Sequence, residues 1–359
     1  MTSLFDPIKL GAINAPNRIL MAPLTRGRSE GVHVPVTALK ADYYSQRASA
    51  GLIIAEATGI TQEGSGWPSA PGIWSVEQVE AWKPVTEAVH AAAGRIILQL
   101  WHMGRLVHSD FLGGAQPVSS SATTAPGSAH TRDGKKDYVT ARALRLDEIP
   151  RVIGDYVHAA RNAMRAGFDG VQVHGANGYL IDQFLRDNAN FRDDDYGGPI
   201  ENRIRLMREV VTAVAGEVGA DRTSIRLSPN GETQGCDDSN PNALFTAAAE
   251  ALDRIGIAFL ELREVKPYGK FGTTDVPRVS PLIRKVFKRP LVLNQEYTRA
   301  LADEDLASGL ADAISFGRPY ISNPDLPARL RNGTELAPDN YKTWYAPDAE
   351  GYTDYPVAA

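Results

Sequence analysis

An α/β chain closing into a (β/α)8 TIM barrel is what this sequence predicts, with an N-terminal cap and long loops at the carboxyl face. Three observations carry that expectation. Eight short β-branched or apolar runs recur along the 359 residues. Segments with helical periodicity separate most of them, and runs such as Ile53-Ile54-Ala55 and Leu291-Val292-Leu293 are apolar without alternation, as parallel strands buried on both faces are. Strand followed by helix, eight times, requires right-handed crossovers, and the chain length suits one closed barrel spanning residues 1–359 better than an open doubly wound sheet.

The strands are read, in order, at residues 19–24, 51–58, 95–101, 170–174, 224–228, 259–263, 290–294 and 313–317. Helices are read at 38–49, 76–93, from 147 to 165, and at 200–214, 242–255, 281–287, 300–308 and 324–331. The third is the clearest: Pro150 falls in its first turn, Ile149, Ile153, Tyr156, Val157 and Ala160 recur at amphipathic spacing, and Gly167 stops it. No GxGxxG follows a strand and no GxxxxGK[ST] occurs, so a nucleotide would be held by barrel loops. Residues 104–146 and 264–280 are long loops leaving the carboxyl end, where catalytic loops gather, and read as lids or pocket walls.

Composition narrows the function classes. Hydrophobic content of 43% with 23% charged residues is that of a globular protein, and a net charge of -5 offers no basic face to nucleic acid or an anionic membrane. The start lacks a cationic segment followed by an apolar stretch, and no window approaches the roughly 18 apolar residues of a spanning helix, so a cytoplasmic protein is expected. One cysteine, Cys236, cannot form an internal disulfide, an iron–sulfur site or a thiolate zinc site, and no metal is expected. Its acidic neighbours Asp237 and Asp238 disfavour a nucleophilic thiolate.

Function in such a barrel is read from the residues at the carboxyl ends of the strands. These are Thr25, Glu56 with Ala57, Gln99 with Trp101, His174 with Asn177, Arg226, Asn294 with Gln295, and Gly317 with Arg318. His174, Asn177 and Tyr179 directly after the fourth strand supply two donors for a polarised oxygen and a phenolic proton for a carbanion. Gly175 and Gly178 also read simply as turn formers there. Arg226, inside a strand, needs an anion; Glu56 is one candidate partner and a bound ligand is the other. Gly317-Arg318 opens the segment where such barrels bind phosphate through backbone N–H groups.

These strand ends come with a series of longer motifs. They include Ala22-Pro23-Leu24-Thr25-Arg26, Tyr43-Tyr44-Ser45-Gln46-Arg47-Ala48, Gln99-Leu100-Trp101-His102-Met103-Gly104-Arg105, His174 to Tyr179, Asp195-Tyr196-Gly197-Gly198, Arg226-Leu227-Ser228-Pro229, Phe316-Gly317-Arg318 and Gly351-Tyr352-Thr353-Asp354-Tyr355-Pro356. With them the chain resembles, over essentially its whole length, the old yellow enzyme family of FMN-dependent ene-reductases, and most of all the bacterial alkene and N-ethylmaleimide reductases. The resemblance implies tightly bound FMN, reduction of that flavin by NADPH or NADH, and small activated alkenes as substrates. It implies a monomer or weak homo-oligomer. By it, Thr25 and Gln99 would hydrogen-bond the flavin, Arg226 would neutralise charge on the reduced ring, and Pro23, Leu24 and Ala57 would pack on the isoalloxazine. Gly317 and Arg318 would bind its phosphate, with Asn294 also among the cofactor contacts. His174 and Asn177 would bind the substrate oxygen, Trp101 and Tyr352 would line its pocket, and Tyr179 would donate the proton.

Three positions depart from that pattern. One extra residue precedes Tyr43-Tyr44 in the loop at Val34-Pro35-Val36-Thr37. Gly175 stands where alanine is common and is expected to loosen the turn that holds Asn177. Asn294-Gln295-Glu296 stands where glycine is common. The rival chemistries are thin: an aldolase needs a strand-end lysine, which is missing, and a glycosidase needs facing carboxylates, for which Glu56 and Glu261 are the one candidate pair. A non-catalytic flavin-binding protein would need no Tyr179. Asp195-Tyr196-Gly197-Gly198-Pro199 reads as a turn, and His102 and Arg105 as loop-holding residues.

Overall fold

The computed structural model describes residues 2–266, 269 and 274–358, so that part of the long loop at 264–280 falls outside the described residues. Eight parallel strands close on themselves. They are β1 (Ile19–Met21), β2 (Leu52–Gly59), β3 (Ile96–Trp101), β4 (Val171–His174), β5 (Thr223–Leu227), β6 (Phe259–Arg263), β7 (Leu291–Asn294) and β8 (Ala313–Phe316), and β8 pairs back onto β1 through Phe316 and Met21. The crossover helices are α1 (Thr37–Ser45), α2 (Val76–Ala91), α3 (Ile149–Arg165), α4 (Arg205–Val218), α5 (Pro241–Ile255), α6 (Ser280–Val286), α7 (Arg299–Ala307) and α8 (Leu326–Asn332). Each strand except β6 is buried along its whole length, which is why the runs carry no alternation.

Local chemistry sets the helix limits. Ser75 caps α2 by accepting from the Gln78 N–H at 3.2 Å while Gln78 Oε1 accepts from the Ser75 N–H at 3.0 Å, the reciprocal arrangement that satisfies two orphan donors. The helix expected over 200–214 divides instead into a single turn, Ile200–Arg203, and α4, which starts at Arg205. The segment before it turns through Gly198 at φ +76°, and Asp194 caps it by accepting from the Tyr196 N–H at 3.0 Å.

The amino end is plugged by an antiparallel hairpin, Ile8–Leu10 with Ile13–Ala15, whose Leu10, Ile13 and Ala15 join Leu20, Ile54 and Phe259 inside the barrel. At the other end, β2 carries a bulge: Ala55 pairs with Leu98 and Ala57 with Gln99, leaving Glu56 unpaired in the ladder. The excursion between β3 and α3 is ordered by a hairpin, Ser128–Thr131 with Gly134–Asp137. Beyond β1, Arg26 and Arg28 grip backbone carbonyls of the C-terminal segment, at Trp344 and Gly351 from Arg26 and at Trp344 from Arg28. Among the described residues no helix is long and apolar enough to cross a membrane.

Candidate active site

A cavity of about 290 Å³ opens at the carboxyl rim. Of the residues expected to hold the cofactor, the fold brings Pro23, Leu24, Arg226, Asn294, Gly317 and Arg318 into its lining. Thr25, Ala57 and Gln99 are not among its lining residues; Thr25 follows β1, and Ala57 in β2 pairs directly with Gln99 in β3. Pro23 and Leu24 are half-buried, as residues facing an open cavity must be.

Beneath the cavity lies a continuous polar layer. Gln99 Nε2 donates to Gln172 Oε1 at 2.8 Å, and Gln172 Nε2 donates to Glu261 Oε2 at 2.9 Å. Glu261 Oε1 accepts from Arg226 Nη1 at 3.1 Å and from Ser315 Oγ at 2.5 Å, while Arg226 Nη2 donates to Asn294 Oδ1 at 2.7 Å. The carboxylate partner of Arg226 is therefore Glu261, not Glu56. The bulge in β2 accounts for the difference: Glu56 pairs with Lys40 of α1 at 2.5 Å and accepts from the Tyr44 hydroxyl at 3.2 Å. Glu56 and Glu261 thus belong to two separate networks, each with its own cation, which leaves no pair of facing catalytic carboxylates at these two residues.

Arg226 retains one buried donor, Nε, with no partner among the described residues. An unspent guanidinium N–H beside an apolar wall of Pro23 and Leu24 fits the electron-rich edge and flat face of a flavin. At the far side Gly317 lines the cavity, where a Cβ would make ordinary contact with the Leu24 side chain at 3.5 Å. The Arg318 side chain is paired with Asp339 at 3.2 Å and lies over the Trp344 ring.

The residues after β4 form a second group. His174 ends the strand, and Gly175 continues the ladder by donating to the Arg226 carbonyl at 2.9 Å. Gly175 does not have a left-handed φ, and a Cβ there would meet Ile225 and Leu227 side chains at 3.1 Å. Close approach to β5, rather than a loosened turn, is what this glycine provides. The turn itself comes next: Asn177 at φ +60° donates its N–H to Ser228 Oγ at 2.8 Å, and Gly178 at φ +76° donates to Asp182 Oδ2 at 2.8 Å. Tyr179 then packs edge-on to both His174 and Trp101, with ring centroids 4.9 and 5.0 Å apart.

The electrostatics suit donors rather than ions. Burial, together with the Arg226 and Arg263 charges, holds His174 well below the usual imidazole range, so the ring is neutral. Its Nδ1 accepts from the Ala176 N–H at 3.4 Å, which leaves the proton on Nε2. Burial also pushes the Tyr179 phenol above its usual value, and it stays protonated at neutral pH. Cys236 is buried with its thiol pushed up to about 12, an inert group.

Several residues at this site were not singled out from sequence. Arg263 at the end of β6 lines the cavity and donates from Nη1 to Asn177 Oδ1 at 3.2 Å. Burial and the neighbouring Arg226 lower it to about 10. The signal existed: Arg263 lies two residues beyond inward-facing Glu261 and so shares its face. Gln234 donates to the Asn177 carbonyl at 2.9 Å. Arg105 supports that loop by donating to the Gln234 carbonyl at 3.0 Å. Tyr352, expected to line the pocket, is fully buried, stacked on Tyr43 at 4.0 Å beneath Arg28. A ring with no accessible surface does not border an open pocket. Tyr345, in the same C-terminal segment, is instead half-exposed, with its ring centroid 5.5 Å from that of Trp67.

Backbone strain gathers here as well. Of seven non-glycine residues at positive φ among the described residues, four border the site: Asn177, Gln234, Gln295 (φ +98°) and Glu296. The last two occupy the loop after β7 where glycine was expected, and each such residue costs on the order of 1–3 kcal/mol.

A parallel barrel whose carboxyl rim joins a cationic cavity to a neutral imidazole, a carboxamide and a protonated phenol offers the groups that an oxidoreductase working with a flavin would use. The chain belongs to the NADH:flavin oxidoreductase / NADH oxidase family, whose model matches residues 3–337, the old yellow enzymes. It is accordingly an FMN-containing, NAD(P)H-dependent oxidoreductase acting on carbon–carbon double bonds. Among solved structures it is similar to the old yellow enzyme homologue from Zymomonas mobilis, at 61% identity and a TM-score of 0.98, covering 99% of this chain and 100% of that one. It is also similar to morphinone reductase in complex with tetrahydroNAD, at 45% identity and a TM-score of 0.94, covering 100% and 98%. Of curated proteins, 12-oxophytodienoate reductase 2 of Arabidopsis thaliana is 42% identical over 362 residues, 98% of this chain and 95% of that one.

Proposed function

We propose that this protein reduces small alkenes activated by a carbonyl, imide or nitro group, with His174 and Asn177 binding the activating oxygen and Tyr179 protonating the α-carbon. The observation that carries the reading is the edge-on cluster of His174, Tyr179 and Trp101 beside the cavity, with the imidazole neutral and the phenol protonated. FMN, when bound, supplies the hydride; Pro23, Leu24, Thr25, Ala57, Gln99, Arg226, Asn294, Gly317 and Arg318 are the residues that hold it. As negative charge grows on the substrate oxygen, the His174 Nε2–H and the Asn177 amide donate to it, each such donor worth roughly 2.7–4 kcal/mol in a preorganised site. Tyr179, held neutral, delivers its proton to the α-carbon. Trp101, Trp67 and Tyr345 form the apolar walls that keep water from the reacting atoms. A cytoplasmic location and a monomeric or weakly associating state accompany this reading.

The test is direct. Purified protein is checked for a flavin spectrum and for oxidation of NADPH and NADH with cyclohexenone, a maleimide and a nitroalkene. Protein that neither carries nor takes up FMN sinks the reading. For the roles, Tyr179→Phe is expected to slow reoxidation of the reduced enzyme by alkene about 10²-fold or more, most for weakly activated alkenes. Unchanged reoxidation removes Tyr179 from its role and leaves a flavin-binding protein without this proton donor.

A further inference from the structure

Asn177 is useful to an oxygen-bearing substrate only one way round. A carboxamide has two nearly isosteric ends, and only the NH2 end can donate. Its main chain is held on both sides, by Ser228 at the N–H and by Gln234 at the carbonyl, but neither contact decides which end of the side chain faces the cavity. Arg263 does. Guanidinium has donors and no acceptor, so the atom of Asn177 facing Arg263 Nη1 at 3.2 Å has to be the oxygen, whatever the density of other contacts. The guanidinium is aimed in turn, since its Nε donates to Gln295 Oε1 at 3.2 Å. It also lines the same cavity as Arg226, one strand away.

Resting on the oxygen-binding reading above, we propose that Arg263 is a positioning residue: it locks the Asn177 amide with its NH2 end toward the substrate oxygen. It adds a second fixed positive charge behind that donor. Two guanidiniums on adjacent strands repel one another, and a cavity that keeps both is matched to an occupant whose oxygen carries or develops negative charge. The loop after β7 takes part in this role, because Gln295, at φ +98°, accepts from Arg263 Nε.

A double-mutant cycle on FMN-loaded enzyme tests it, with Asn177→Ala, Arg263→Met and the double variant. Two quantities are read: the affinity for phenol, titrated by its charge-transfer absorbance with the oxidised flavin, and the reoxidation rate of chemically reduced enzyme by cyclohexenone. Arg263→Met is expected to weaken phenol binding and slow reoxidation by roughly tenfold or more. In the Asn177→Ala background the same change is expected to cost markedly less than in the wild type, because only the effect of its charge is left to lose. Arg263→Lys, which keeps the charge and a donor, restores most of the affinity. Wild-type phenol affinity in Arg263→Met, or effects that simply add across the cycle, overturns the proposal while leaving the oxygen-binding reading intact. Wild-type behaviour of Asn177→Ala instead overturns that reading and this proposal together. If Arg263→Met does not retain FMN, Arg263→Leu, which also lacks a donor, carries the same cycle with the same two outcomes.

Discussion

The two ends of the same eight strands are built to opposite rules. At the amino end, Leu10, Leu20, Ile54 and Phe259 pack inside the barrel with almost no accessible surface, under a hairpin that leaves no opening. Gly11 lets that hairpin turn: at φ +61° it approaches the Asp221 carbonyl so closely that a Cβ would lie 2.1 Å from it. Towards the carboxyl end, the strands carry Gln99, His174, Arg226, Glu261 and Arg263, all hydrogen-bonded, and Arg226 and Arg263 line an open cavity. Four non-glycine residues at positive φ border that end. The packed end supplies free energy, and the polar end uses some of it to hold charges, donors and strained backbone in place.

The contrast can be attacked from either side. The largest effect is expected from Arg226→Ala, which strands Glu261 in the barrel without its cation: loss of bound FMN, read from the flavin absorbance, together with about 3–5 kcal/mol of stability, read from denaturant unfolding. Retention of both would show that the polar layer is not a working part of the site. Next comes the amino end, where Leu20→Ala is expected to cost about 2–5 kcal/mol of stability while the folded enzyme keeps its kcat. A changed kcat at undiminished stability would mean that the plugged end reaches the chemistry.

The smallest effect concerns pH. His174 is held neutral in the folded protein, so below its ordinary value of 6.5 the unfolded chain binds a proton that the folded one refuses. Stability is therefore present above that pH and declines as pH falls below it, by at most about 1.4 kcal/mol per pH unit for this one group. His174→Gln is expected to flatten the slope between pH 6.5 and 5. An unaltered slope would mean that the imidazole accepts its proton in the fold and does not act as a neutral donor.

Much of this was legible in the residues. Apolar runs without alternation, helices with one apolar face and their count of eight describe a closed parallel barrel, and six of the nine expected cofactor residues meet in one cavity. The misreadings have specific causes. Arg226 was given Glu56 as a possible partner because both are strand-end residues, yet one bulge between Ala55 and Ala57 turns Glu56 to Lys40. Tyr352 is assigned to the pocket by the family resemblance, but its ring is fully buried and stacks on Tyr43. Gly175 was read through its conformational freedom, although its backbone is ordinary and its distance from β5 is what matters.

What the sequence determined by itself was therefore the barrel and the inventory of polar groups at its rim, since both follow from periodicity and from order along the chain, which are local properties. What only the tertiary structure decided was partnership: Glu261 with Arg226 across 35 residues of chain, and Arg263 with Asn177 across 86. Hydrogen bonds form between side chains a few ångströms apart in space. Register, a single bulge and a strained turn set those distances, and none of them is written in the spacing of the residues that meet.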